Sequence, residues 1–310
     1  MKKIIDKYFS LILLTSCFIG LWIPDIGSYT NITILGLLFT VVFISFFQVE
    51  LNKQIILTNA KKALVFYLIR YILLPVAVFL ILQLFSKFYA IVFLLMYLLP
   101  AAVSSPAFST ILKGNPVLSL VLLVMSSFLS IFSIPFFCGL FASELETIHQ
   151  GRMFITLVFT LILPYIVHLP LKKIQKFRSF INFSGSLIIV ICLSIMLLIV
   201  FSKYKTVFLN NPLSLLSFFL ISISGYAFLI FFGWIITYKS AIPDRITGAV
   251  SSGVNNIGLG ITLSAIYFPE KISLYFVVAE FSWVLILIPL RKLFLRKSKV
   301  EKINSEKNEK

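Results

Sequence analysis

The chain has 310 residues, 60% of them hydrophobic and only 12% charged, with a mean hydropathy of +1.05. A soluble globular domain is about 25% charged, so this composition excludes one and points to a polytopic helical membrane protein. The formal net charge of +16 raises nucleic-acid binding as an option, but the distribution of that charge answers it below.

Apolar runs long enough to cross about 30 Å of hydrocarbon recur along the chain. They predict ten spans, at 8–24, 30–49, 63–85, 90–112, 116–142, 152–170, 180–201, 213–238, 247–267 and 272–290. Met1–Lys7 is a short basic lead into the first span. Leu21-Trp22-Ile23-Pro24 offers no small-residue cleavage site, so the expectation is a retained helix and not a cleaved signal peptide. Trp22 and Tyr29 are expected as interface anchors.

The third span contains Arg70, which has a bland reading as a snorkelling side chain. An ionisable residue inside a span is nevertheless a functional candidate by default. The fourth span cannot close as a helix. Over Leu99–Asn115 it reads LPAAVSSPAFSTILKGN, and Pro100 and Pro106 each remove a backbone donor and clash with the preceding turn. Ser104, Ser105, Ser109 and Thr110 supply hydroxyls there. Broken backbone at bilayer depth is tolerated only inside protein or beside a watery cavity, which is how secondary transporters build binding centres.

In the second half, the ninth span carries SSGVNNIGLG over residues 251–260. Its glycines weaken a helix by up to about 1 kcal/mol each. Ser251, Ser252, Asn255 and Asn256 put polar groups near mid-membrane, either as interhelical glue or as part of a site. The tenth span carries Glu280, too short to snorkel from that depth. The tail from Arg296 to Lys310 is polar and charged and is expected to be disordered.

With both ends cytoplasmic, 21 of the 27 Lys and Arg residues fall on inside segments, five fall outside, and Arg70 alone lies within a span. The positive-inside rule asks for such a bias, so the basic excess is a topology signal, with lipid contact and no nucleic-acid partner. The acidic loop Glu144–Glu146 falls outside. The polar segments, rich in Lys, Ile and Asn, suggest a bacterial inner membrane.

Ten spans divide into two sets of five, residues 1–142 and 152–290. An odd number per half inverts the second set relative to the first, the inverted-repeat plan of many carriers. Ala-Val-Ser-Ser-Pro (102–106) and Ala-Val-Ser-Ser-Gly (249–253) echo each other in the fourth span of each half.

The segment PAAVSSPAFSTILKGNPVLSL, with Pro135 beyond it, resembles the fourth and fifth helices of the bile acid:sodium symporter family. SSGVNNIGLGITLSAIYF resembles that family's ninth helix, and Phe46–Pro75 its second and third. The resemblance implies one transmembrane unit over 1–295 with panel helices 1, 2, 6 and 7 and core helices 3–5 and 8–10. It further implies that broken helices 4 and 9 cross near the midplane beside the substrate. It maps one sodium site onto Ser105, Pro106, Ser119, Leu123 and Ser251, where an asparagine, a hydroxyl and a carboxylate are replaced. It maps a second onto Arg70, Ser251 and Asn255. A guanidinium repels sodium at close range, and hard cations want several oxygen ligands. Ser105, Ser119, Ser251 and Asn255 remain as residual sodium candidates, but the expectation is a sodium-independent or proton-linked carrier. Arg70 would stand in for the sodium charge, and Glu280 would pair with it or carry a proton.

The expected function is secondary transport of a small or amphipathic organic anion, with no cofactor. The alternatives are a non-coupled facilitator or a non-transporting sensor homologue. An intramembrane enzyme finds no support, since no base–nucleophile set, metal cluster or P-loop occurs. His149 and His168 are expected as plain interfacial residues, and Cys17, Cys138 and Cys192 as isolated packing residues.

Overall fold

The structure, a computed structural model, describes residues 12, 15–25, 30–47, 53–141, 149–210, 212–283, 285, 286 and 294. The basic lead, Tyr29, the Glu144–Glu146 loop and the charged tail lie outside the described residues. Among the described residues all regular structure is helical, with no strand beyond one isolated bridge between Ala101 and Asn255.

In chain order the helices are α1 (Thr30–Phe47), α2 (Lys53–Tyr67), α3 (Leu74–Leu82), α4 (Lys87–Leu98), α5 (Ser105–Ile111), α6 (Pro116–Phe141) and α7 (Gln150–Leu157). They continue with α8 (Leu163–Leu171), α9 (Gln175–Lys203), α10 (Lys205–Asn210), α11 (Pro212–Ile236), α12 (Ile242–Gly253) and α13 (Ile257–Tyr267). Residues 270–283 are also helical. Six stretches are long and apolar enough to cross a membrane: Thr30–Phe47, Leu57–Leu82, Pro116–Phe141, Gln150–Leu171, Gln175–Lys203 and Leu213–Ile236. They coincide with the expected spans two, three, five, six, seven and eight. The shorter apolar helices Lys87–Leu98 and Ile257–Tyr267 are parts of expected spans four and nine. Spans one and ten lie partly outside the described residues.

Two of the long stretches widen into π-helical turns, Leu68–Leu73 and Val158–Ile162. Each is followed within two residues by a proline, Pro75 and Pro164. Proline has no N–H and its ring crowds the carbonyl four residues back. The helix answers with wider hydrogen bonds, Leu74 N–H to Ile69 O and Leu163 N–H to Val158 O. Such bulges are common at functional sites, and the first one contains Arg70.

The chain divides into two compact units. Unit 1 comprises Met1–Leu51, Pro135–Leu216 and Gly258–Val277. Its packing centres on α1 and α9, where Ile44, Phe47 and Ile181 are buried with Phe43, Leu171, Phe177, Ile188 and Ile189 against them. His168 belongs to this packing. It is buried within the protein, with the Phe47 ring edge-on at 4.5 Å and the rings of Phe46 and Tyr165 beside it.

Unit 2 comprises Asn52–Ile134, Ser217–Ile257 and Val278–Lys310. Ala63, Phe66, Tyr67, Tyr71, Leu118, Val121 and Leu122 form its buried cluster. Helices α11 and α12 approach closely, because a Cβ on Gly248 would sit 2.6 Å from Thr237 Oγ1 and 2.7 Å from Gly233 O. Small residues at such contacts are how membrane helices gain packing without a hydrophobic driving force.

Candidate functional site

The chain leaves helical structure between Leu98 and Ser105 and again between Gly253 and Ile257. The first exit follows from the residue before a proline being forced out of the helical region: Leu99, ahead of Pro100, sits at φ −59°, ψ 134°. Pro106 lies at the far edge of this interruption. It occupies the first turn of α5, where a missing N–H does no harm, and so it starts a helix and does not break one.

The two interruptions meet within unit 2. Ala102 N–H donates to Val254 O and Asn256 N–H to Pro100 O, both at 2.8 Å, around the Ala101–Asn255 bridge. Side chains take the remaining polar groups. Ser105 Oγ donates to Val254 O at 3.2 Å, Ser126 Oγ accepts from Ala101 N–H at 3.1 Å, and Asn255 Nδ2 donates to Met96 O at 2.9 Å. Buried backbone groups must find partners, and these do.

Arg70 is fully buried at this junction, which rules out snorkelling in this structure. Its Nη1 donates to Tyr97 O at 2.8 Å and its Nη2 to Ser252 O at 2.7 Å, with Asn255 Oδ1 at 3.3 Å. Its Nε donates to Ser252 Oγ at 2.5 Å. The guanidinium therefore stands among four oxygens. Its carbon also lies 4.5 Å from the centre of the Tyr71 ring and 5.6 Å from that of Tyr97, within cation–π range.

None of these partners is a carboxylate, so the buried charge needs another source of balance. Tyr97 O and Ser252 O are last-turn carbonyls of α4 and α12, groups that have no intrahelical donor. A helix C-terminus carries roughly half a negative charge. Two such ends at one guanidinium together offset about one unit of positive charge locally. Neighbouring side chains complete the arrangement. Tyr71 OH donates to Ser251 O at 2.8 Å, Tyr97 OH to Gly225 O at 3.1 Å, and Tyr67 OH to Ser133 Oγ at 2.8 Å.

The positions onto which the resemblance places sodium ligands are occupied from within. Ser119 Oγ and Ser251 Oγ hydrogen-bond each other at 3.2 Å, and Leu123 contributes a buried apolar side chain. Ser252 and Asn255 turn to Arg70. Of the other predicted residues, Asn256 takes part through its backbone N–H. Ser104 is exposed and Asn256 half-buried, while Ser109 is buried with its Oγ unpartnered. Glu280 is buried in the same unit, but no ion pair joins it to Arg70; among the described residues the ion pair is Lys62–Asp244.

Two groups of residues went unread in the sequence. Tyr67, Tyr71 and Tyr97 looked like ordinary span aromatics, although the Tyr-Leu-Ile-Arg-Tyr run at 67–71 places two of them beside the one in-span cation. Asp244 anchors a second network. It pairs with Lys62 and accepts from Asn115 Nδ2 at 2.8 Å. Asn115 also caps α6 by accepting from the N–H groups of Val117 and Leu118, and its own N–H lies 2.7 Å from Thr247 Oγ1. A Cβ on Gly114 would sit 2.8 Å from that same Thr247 oxygen, so the Gly-Asn turn is fixed to the start of α12 by close approach.

The profile of the Sodium Bile acid symporter family matches residues 30–211. The match spans α1 to α10 and so includes Arg70 and the first interruption, and it covers more than half of the chain. No curated protein matches the chain.

Proposed function

Because the chain belongs to the sodium bile acid symporter family, we propose that this integral membrane protein is a secondary transporter that moves a small or amphipathic organic anion by alternating access, without sodium. The observation that carries the sodium-independent part is the guanidinium of Arg70 among Tyr97 O, Ser252 O, Ser252 Oγ and Asn255 Oδ1. A hard cation seeks such an oxygen set, and here a tethered cation takes it. Ser119 and Ser251, bonded to each other, occupy the first mapped site, which also lacks a carboxylate.

The ten-helix inverted repeat with crossing helices 4 and 9 is part of this reading. Its support is that the paired interruptions, after α4 and after α12, fall in the fourth expected span of each half. The panel and core division draws support from the two units: Met1–Leu51 and Pro135–Leu216 hold expected spans one, two, six and seven, and Asn52–Ile134 with Ser217–Ile257 hold most of the expected core. Gly258–Val277 departs from that plan by grouping with unit 1. The anionic substrate is favoured because the partners of Arg70 carry no formal charge. Helix-end dipoles fade with distance faster than the monopole, so the crossing keeps a positive field.

Proteoliposomes test the reading. Uptake and counterflow of cholate and a panel of small carboxylates, in sodium against choline buffer, should give equal rates for any solute carried. Uptake that collapses in choline would overturn the sodium-independent reading, and absence of counterflow for every solute would overturn the carrier.

A further inference from the structure

Glu280 sits in the helical residues 270–283, is 8% exposed, and leaves Oε2 without a hydrogen-bond partner. The indole of Trp283, one turn on, lies beside the carboxyl, yet its N–H also completes no hydrogen bond. An acceptor and a donor, both buried and side by side, are thus both unspent. Buried polar atoms are nearly always satisfied, so a pair of exceptions asks for a missing partner.

Among the described residues no basic side chain forms an ion pair with Glu280. On the same helix the group beside it is Trp283, while Ser282 Oγ is hydrogen-bonded to Ser222 Oγ of α11. From α5 the contact is Phe108, edge-on to Trp283 with ring centres 5.6 Å apart. None of these groups titrates in the physiological range or carries charge. Arg70 spends its donors on Tyr97, Ser252 and Asn255. A carboxylate with no cation beside it and one oxygen unpartnered is expensive to bury, and the smallest species that resolves it is a proton. A carboxylic acid offers one O–H donor and keeps an acceptor for the indole N–H.

We propose that Glu280 is a proton-binding site, loaded and unloaded during the transport cycle, an inference that rests on the transporter reading. The step is a simple exchange: an O–H bond forms on the carboxylate with a proton from water on one side and breaks to water on the other. No oxidation or covalent intermediate is involved. The Phe108–Trp283 contact gives the change a route to α5, which carries Ser105 of the paired interruptions.

The test uses the proton itself as the probe. In purified full-length protein, infrared spectra recorded across a pH titration should contain a carboxylic-acid carbonyl band that is lost at high pH. That band should be missing from Glu280→Gln and kept, shifted, in Glu280→Asp. In a protein with Trp22 and Trp234 changed to Phe, emission from Trp283 should titrate with the same midpoint and become flat when Glu280→Gln is added. A wild-type spectrum without a titrating band that depends on Glu280, or an emission titration unaltered by Glu280→Gln, would overturn the proposal. Neither readout requires transport. A Glu280 that titrates in a protein showing no counterflow would refute the carrier alone, and counterflow by a protein whose Glu280 does not titrate would refute this inference alone.

Discussion

Arg70 and Glu280 are both buried ionisable side chains in the same compact unit, and they differ in how their needs are met. Arg70 has four hydrogen bonds, two flanking rings and two helix C-termini arranged around it. Glu280 has an orphaned oxygen beside an orphaned indole N–H. A group whose partners are complete and uncharged behaves as part of the scaffold. A group left incomplete is poised to take and give up a ligand. The same burial thus has opposite meanings, decided by what surrounds it.

Substitutions sharpen this contrast on a falling scale. Arg70→Met should be the most damaging, because it strands Tyr97 O, Ser252 O and Asn255 Oδ1 in a buried site. A loss on the order of 3 kcal/mol or more is expected, read as a drop in melting temperature or denaturation midpoint of the purified protein. A change under about 1 kcal/mol would mean the oxygens find water and the scaffold role is wrong. Tyr71→Phe keeps the ring against the guanidinium and removes the hydroxyl with its bond to Ser251 O and its contact with Ser126, so about 1 kcal/mol is expected in the same measurement. Glu280→Gln removes no completed hydrogen bond. It should alter stability by less than about 1 kcal/mol, and a loss as large as that of Arg70→Met would erase the contrast.

Parts of this arrangement were legible in the sequence. Pro100 and the Gly and Asn residues of 251–260 marked two places where helices stop, and Arg70 stood out because it is alone among the spans. The partners of Arg70 were not legible. They are main-chain carbonyls of Tyr97 and Ser252, and every backbone has carbonyls. Which of them become acceptors depends on two helix ends, more than 150 residues apart, lying together. The hydroxyl cluster of the fourth span was likewise read as one group, but a short helix turns successive residues to different sides. Ser105 therefore joins the paired interruptions while Ser104 is exposed and Ser109 points into packing. Proline ends one helix and begins another with the same chemistry, so Pro100 and Pro106 mark the two edges of the non-helical residues.

The central claim is that a tethered guanidinium does the work of a bound cation. The direct measurement is the melting temperature of the purified protein across a sodium chloride titration, with choline chloride at matched ionic strength as reference. A ligand that binds only the folded state raises stability by RT ln(1 + L/Kd), where L is its free concentration. The account predicts superimposable curves for the two salts. A rise specific to sodium that continues with the logarithm of its concentration would contradict it.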